Sequence, residues 1–195
     1  FCYLLNIYIS LYNQLIKMGF QQWMILVVVI QGCLAQSPVA MARFRNLRQC
    51  VFPDLGVNGE NGPIQSCSFQ KQQDSSALSV SWNGDLRLLG PDSGKGACRR
   101  WFFTINGEEC AAPARIDLLL FSEAGEGNFH RPAYLEGLCT GIGKGDVTVE
   151  FNIGACDRLG PGYVPGDAFT GWQTTSRITL EEVDIKNVQE AIEVN

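Results

Sequence analysis

Six of the chain's eight cysteines, Cys50, Cys67, Cys98, Cys110, Cys139 and Cys156, are spread over its last three-quarters, and no two of them form a C-x₂-C pair. What they do to the fold depends on redox compartment: thiols in the cytosol, disulfides outside it. The start of the chain bears on that. From Met18 the sequence reads MGFQQWMILVVVIQGCLAQS, with an apolar run from Trp23 to Ile30 and small residues at Cys33 and Ala35. Those two fit the −3 and −1 positions of a signal-peptidase site, so residues 18–35 are read as a signal peptide cleaved after Ala35. Residues 1–17, which begin at Phe1, are read as upstream translated leader. The n-region after Met18 carries no Lys or Arg. A transmembrane anchor would use the apolar stretch FCYLLNIYISLYNQLI as well, but a span needs roughly 20 apolar residues and the run from Trp23 is far shorter. The mature chain is therefore expected to be secreted to the extracellular space or matrix, with no membrane span. Cys2 and Cys33 leave with the leader, and the remaining six form disulfides whose connectivity is open. A zinc site finds no support in these spacings.

What remains after Ala35 is about 160 residues, enough for one domain with a core. The whole chain has a formal charge of −5, and the leader holds one lysine and no acid, so the mature part is slightly more acidic. That argues against a nucleic-acid binder, which carries a basic face. No Asn-x-Ser/Thr sequon occurs. Residues 36–49, with Arg43, Arg45 and Arg48, read as a linker before a domain spanning 50–183.

Within that domain, Gly, Ser, Asn and Asp clusters punctuate short alternating runs, the mark of an all-β chain. In GDVTVEFNI, Val147, Val149, Phe151 and Ile153 alternate with Thr148, Glu150 and Asn152, a half-buried strand. SRITLEEV repeats the pattern with Ile178 and Leu180 inward. ARIDLLLF is more continuously apolar and is placed centrally or against a partner subunit. In ALSVSWNGDLRLL, a two-residue Asn83-Gly84 turn would set Val80 against Arg87. A three-residue loop, Asn83-Gly84-Asp85, pairs Trp82 with Leu86 and Val80 with Leu88, and is the expected hairpin. Strands are expected near 64–71, 77–83, 86–90, 99–105, 108–112, 115–122, 133–139, 146–154 and 175–183. With no core helix, these make a two-sheet antiparallel sandwich or jelly roll. The tail 184–195, DIKNVQEAIEVN, has Ile185, Val188 and Ile192 at helical spacing and reads as a short helix or a frayed end.

CRRWFFTINGEEC tests the cysteine reading. If a hairpin closes at Asn106-Gly107, Phe103 faces Cys110 and Cys98 faces Arg115. Cys98 and Cys110 are then about 16 Å apart at the usual strand rise, beyond the ~7 Å that a disulfide tolerates. They are expected to bond to other strands and not to each other.

Candidate chemistry is sparse. GIGKGD at 141–146 lacks the Ser or Thr that a phosphate loop places after Gly-Lys and precedes a strand, so it reads as a glycine-rich turn. His130 is the only histidine and no G-x-S-x-G elbow accompanies it, so it reads as a loop residue without a catalytic role. Asp157 and Asp167, ten positions apart, are a thin basis for a calcium site. No cofactor and no enzyme activity is expected. The same long loop carries Tyr163, Phe169 and Trp172, which read as contacts for a protein partner.

Three strings, CRRWFFTINGEEC, YLEGLCTGIGKGDVTVEFNIGAC and GDAFTGWQTTSRITLEE, resemble in order and spacing the C-terminal domain of the collagen triple helix repeat-containing protein 1 family, from about Gln49 to Val183. The resemblance implies a secreted matrix protein linked to limiting collagen deposition and to Wnt–Frizzled signalling in its planar-cell-polarity branch. It also implies a trimeric sandwich like the tumour-necrosis-factor and complement globular heads. Three departures stand out. No Gly-X-Y run lies between Ala35 and Cys50. Gly90 and Ala97 occupy positions where the family carries two further cysteines, so one disulfide is missing as a pair. The family's glycosylation site has no counterpart around Gly127-Asn128-Phe129-His130. The expectation is a secreted, homotrimeric binding module that engages a cell-surface receptor or a matrix protein; the alternative is a structural matrix module with no receptor.

Overall fold

The computed structural model describes residues 45–59, 61–91, 94–123, 125, 127–156 and 163–185. The segments read from sequence as leader and signal peptide, residues 36–44 of the expected linker, Asp157 and residues 186–195 of the tail lie outside them. Among the described residues are twelve strands: β1 (Leu47–Pro53), β2 (Val57–Asn58), β3 (Gly62–Lys71), β4 (Ala77–Leu89), β5 (Gly96–Ile105), β6 (Glu108–Glu109), β7 (Asp117–Ser122), β8 (Arg131–Cys139), β9 (Gly145–Gly154), β10 (Tyr163–Val164), β11 (Asp167–Thr170) and β12 (Thr175–Val183). They form two sheets. In sheet A the order is β1-β12-β4-β11-β2, with β8 on the other flank of β4; in sheet B it is β10-β5-β9-β3, with β6 and β7 against β5. The fold is the expected all-β sandwich. No helix among the described residues is long and apolar enough to cross a membrane.

The alternating residues of β9 do what their pattern dictates: Val147, Val149, Phe151 and Ile153 are all buried. Trp82 of β4 stacks on Phe151 with ring centroids 4.1 Å apart, and Phe103 of β5 leans on the same ring at 5.2 Å. These contacts, with Val80, Leu86, Trp101, Ile178 and Leu180, fill the space between the sheets. Trp101 also ties sheet B to sheet A, its Nε1 donating to Thr170 Oγ1 at 3.0 Å.

The expected hairpin at Asn83-Gly84-Asp85 does not exist. β4 runs unbroken through it, with β8 on one flank and β12 on the other. The apolar pattern explains why. Val80, Trp82, Leu86 and Leu88 fall on one face of a continuous strand, with Gly84 in the remaining slot. That glycine answers a close approach: a Cβ there would lie 2.5 Å from Ser176 Oγ and 2.8 Å from Trp82 Cζ2. Asn-Gly is a turn signal only when nothing overhead requires the missing side chain.

The CRRWFFTINGEEC hairpin closes in the expected register, Thr104 opposite Glu109 and Ile105 opposite Glu108. Beyond Glu109 the chain leaves the ladder and returns as β7, so Cys98 faces Phe121 and not Arg115. Cys98 and Cys110 are not joined to each other, as the spacing requires. The bonds are Cys50–Cys67, Cys98–Cys156 and Cys110–Cys139. The first links β1 to β3, and the third links the end of β6 to the end of β8, so each spans the two sheets.

Two boundaries move. β1 starts at Leu47, so the last residues of the 36–49 linker belong to the sheet, paired with β12. ARIDLLLF is not central: among the described residues β7 pairs only with β5 and forms an edge, with Leu119 58% exposed. GIGKGD is a turn between β8 and β9, with left-handed Gly141 and Gly145 and with Lys144 N donating to Asp74 Oδ1 at 2.8 Å.

One buried carboxylate fastens the end of sheet A. Glu182 of β12 accepts from Asn46 Nδ2 (2.7 Å), Ser76 Oγ (2.5 Å), and the backbone N–H groups of Gln72 (3.0 Å) and Gln73 (2.8 Å), beside buried Lys71. Burial pushes its pKa up, but the hydrogen bonds from Ser76, Asn46, Gln72 and Gln73 outweigh that and bring it from 4.5 down to about 2. A depressed carboxylate contributes stability that is present above its unfolded pKa and is lost as pH falls through the folded value. Glu182→Gln is expected to cost roughly 3 kcal/mol at pH 7. Urea melts of both proteins should converge as pH drops from about 5 towards 2; a gap that stays constant with pH would assign the loss to packing instead.

Candidate functional site

β11 and β12 lie antiparallel along the same flank of β4, β11 opposite Leu86–Leu89 and β12 opposite Ala77–Asn83. Between them Gly171–Thr174 leaves the ladder as an outcrop. Gly171 and Gln173 adopt positive φ (77° and 49°) to make the detour, and Gly171 N returns to Asp85 O at 2.8 Å. The β1–β2 connection clamps the outcrop from outside. Asp54 N donates to Thr174 O (3.0 Å), Gly56 N to Gly171 O (3.2 Å) and Gln173 N to Asp54 Oδ1 (3.1 Å). Trp172, 46% exposed, sits on this pinned loop.

Asp85 and Arg87 occupy outward slots of β4, opposite the face that carries Leu86 and Leu88. An outward charge is ordinarily wet. Here both are buried, 6% and 7% exposed. Asp85 Oδ2 accepts from His130 Nδ1 (2.7 Å) and from Trp172 N (3.3 Å). The His130 ring lies 4.5 Å from Trp172 and meets Phe169 edge-on at 5.9 Å. Arg87 pairs with Asp167 at 2.7 Å, donates to Asn128 Oδ1 at 3.1 Å and lies under the Phe169 ring at 5.5 Å. Aromatic rings thus roof two charged residues, each with its own partner, strengthening the Asp85–His130 and Arg87–Asp167 contacts by excluding water and supplying Arg87 with cation–π attraction.

The arrangement fixes a half-exposed aromatic surface over partnered charges. The carboxylate keeps the imidazole proton on Nδ1. Among the described residues no hydroxyl or thiol hydrogen-bonds the His130 ring. No group of three His, Cys, Asp or Glu able to hold a metal occurs among the described residues. Asp167, weighed for calcium, is taken by Arg87.

The three aromatics read from sequence are divided by the fold. Phe169 and Trp172 meet around His130 on the outer face of sheet A. Tyr163 is on sheet B, paired beside Gly96, with its ring edge-on to Phe121 at 5.1 Å. Gly96 is the seat for both rings: a Cβ there would be 2.9 Å from Tyr163 Cε1 and 3.1 Å from Phe121 Cε2. With Leu119 on the same outer face of β7, they form a second apolar patch. A small cleft is walled by Leu86, Leu88, Leu120, Phe121, Phe129 and Arg131. Sequence reading missed Asp85, Arg87 and Asn128, and it treated His130 as an isolated loop residue.

A family model described as CTHRC1, C-terminal domain, matches residues 42–180. Among solved structures, a crystal structure of dimeric latent PorU from Porphyromonas gingivalis is 9% identical, with a TM-score of 0.39, over 75% of this chain and 14% of that chain. At that score it bears on neither fold nor function.

Proposed function

This chain belongs to the family described as CTHRC1, C-terminal domain, and on that premise we propose that it is a secreted binding module that modulates Wnt–Frizzled signalling at the cell surface, acting as a homotrimer and by surface complementarity, without catalysis. Family and disulfide-rich domain together fit an extracellular, matrix-associated module. The observation that carries the finer reading is the two roofed charges on sheet A. Exposed Trp172, with Phe169 and His130, is fixed over buried Asp85 and Arg87. Rigid aromatics beside a guanidinium are what binding hot spots are made of, because little side-chain entropy is lost on contact. The apolar edge of sheet B supports self-association, since an uncovered strand edge with exposed Leu119 and Phe121 favours being covered.

Saturable labelling of Frizzled-bearing cells tests the proposal. Trp172→Ala is expected to weaken it about 30-fold or more, the ~2 kcal/mol of a hot-spot truncation, with little change in melting temperature. Retention on collagen or proteoglycan with no receptor labelling would select the structural matrix module instead. Light scattering that finds a monomer would remove the trimer.

A further inference from the structure

The chain contains four Asn-Gly pairs, at Asn58, Asn61, Asn83 and Asn106. Asn-Gly is the dipeptide in which the following backbone nitrogen, unhindered by a Cβ, most readily attacks the asparagine side chain, and asparagine is thermolabile for this reason. The fold treats the four differently. Asn83 lies inside β4, paired on both flanks with Arg177 and Tyr134. With its amide oriented to suit its neighbours, Asn58 donates to Asp167 Oδ1 (3.1 Å) and Ala168 O (3.0 Å). Asn106 is locked in the β5–β6 turn by Thr148, its backbone N donating to Thr148 O (2.8 Å) and its Oδ1 accepting from Thr148 N (2.9 Å).

Asn61 is the exception. Like the other three it is exposed, and Gly62, like Gly107, has positive φ (+104°) with nothing within 4 Å of where a Cβ would stand; what sets Asn61 apart is its place at the entry to β3 and its partner. Its side-chain Oδ1 accepts from Nη1 of Arg99 at 3.3 Å, and Arg99 is 1% exposed. We infer that Asn61 is a self-modifying residue, converted to aspartate or isoaspartate ahead of the other three sites, with Arg99 promoting the step. Gly62 N, after losing its proton to solvent, attacks Asn61 Cγ. A C–N bond forms, negative charge develops on Oδ1, the Cγ–Nδ2 bond breaks and ammonia leaves. Water then opens the succinimide at either carbonyl. One water is consumed and one ammonia released, with no redox partner. The Arg99 guanidinium faces the oxygen on which charge develops, the placement that stabilises an oxyanion. The product carboxylate then stands beside that buried cation, where a charge-assisted pair is stronger than the amide contact it replaces. An isoaspartate would also lengthen the backbone where β3 joins β9, next to the register break between Pro63 and Gln65. The domain would thus change charge and strand entry with age.

The test ages the purified protein at neutral pH and body temperature and maps peptides by mass spectrometry with isoaspartate detection. The expected result is a gain of one mass unit accumulating at Asn61 first. In Arg99→Gln the ratio of Asn61 to Asn106 conversion should fall about tenfold, a small part of what loss of an oxyanion donor costs an enzyme. Because both sites are read in one molecule, the ratio is normalised for the general conditions of ageing. The wild-type ranking needs no variant at all. Conversion at Asn58, Asn83 or Asn106 ahead of Asn61 overturns the inference, as does an Arg99→Gln ratio equal to wild type in protein whose thermal melt remains cooperative.

Discussion

Trp82→Ala is expected to destabilise the domain by about 3–5 kcal/mol, the range for truncating a fully buried tryptophan, and to leave little folded protein at body temperature. Trp82 is 0% exposed and is the contact through which β4 of sheet A meets β9 of sheet B, face to face on Phe151. Gly84, which lies against its ring, has no side chain to move into the space it leaves. A comparison with phenylalanine separates packing from hydrogen bonding. Among the described residues Trp82 Nε1 meets no acceptor, whereas Trp101 Nε1 donates to Thr170 Oγ1. Trp82→Phe gives up ring area alone. Trp101→Phe also strands the Thr170 hydroxyl, a further loss of ~1 kcal/mol. Chemical melts of the two variants should therefore rank Trp101→Phe as the worse. The reverse order would mean that the indole of Trp82 is hydrogen-bonded in solution.

The second large effect concerns Cys98–Cys156. Its cysteines are 58 positions apart, the longest separation of the three bonds. In the loop-entropy account, closing a loop of that length in the unfolded chain is worth ~4 kcal/mol. Cys98→Ser with Cys156→Ser should lose most of that. Cys50–Cys67, with a separation of 17, should cost about 3 kcal/mol on the same account. Equilibrium melts of the two paired-serine variants read the difference directly. Equal losses would show that strain or residual structure, and not loop length, governs these bonds. The larger loss has a local readout as well. Cys156 precedes the segment that returns as β10, so without the bond the edge-on contact of Tyr163 with Phe121 should weaken and tyrosine fluorescence should change.

The fold class was legible because most strands keep one wet face. β12 alternates cleanly, and the inward residues of both β9 and β12 are where period two puts them, although Asn152 on the outer side of β9 is buried as well. β1 was hidden for the opposite reason. In LRQCVFP the exposed members include Leu47 and Val51, so hydrophobicity marks the wrong face, and the strand is defined by pairing with β12 rather than by burial. Gly84 misled because one residue type answers two demands, left-handed backbone and absent side chain, and sequence does not say which. At the site, Phe169 and Trp172 were found by the simple signal of aromatics in a long loop. Asp85 and Arg87 were not, since a charged residue in an outward strand slot looks solvated whether or not something covers it. What covers them, His130 and Asn128, is more than 40 positions away in sequence. Only the β4–β8 pairing, Asp85 opposite Pro132, makes them neighbours.

The detour between β11 and β12 separates what the chain displays from what holds it. Both strands are registered on β4, one on each side of the gap, so neither depends on the loop for its alignment. Residues 172–174 can then be exchanged while the ladder stays in step, provided that Gly171 and the residue at 173 keep their left-handed turns and the backbone contacts with Asp54 are kept. Such a position is a natural grafting point. Over evolutionary time it lets the displayed surface diverge at little risk to the core, and in the laboratory it accepts a foreign recognition loop at the same place.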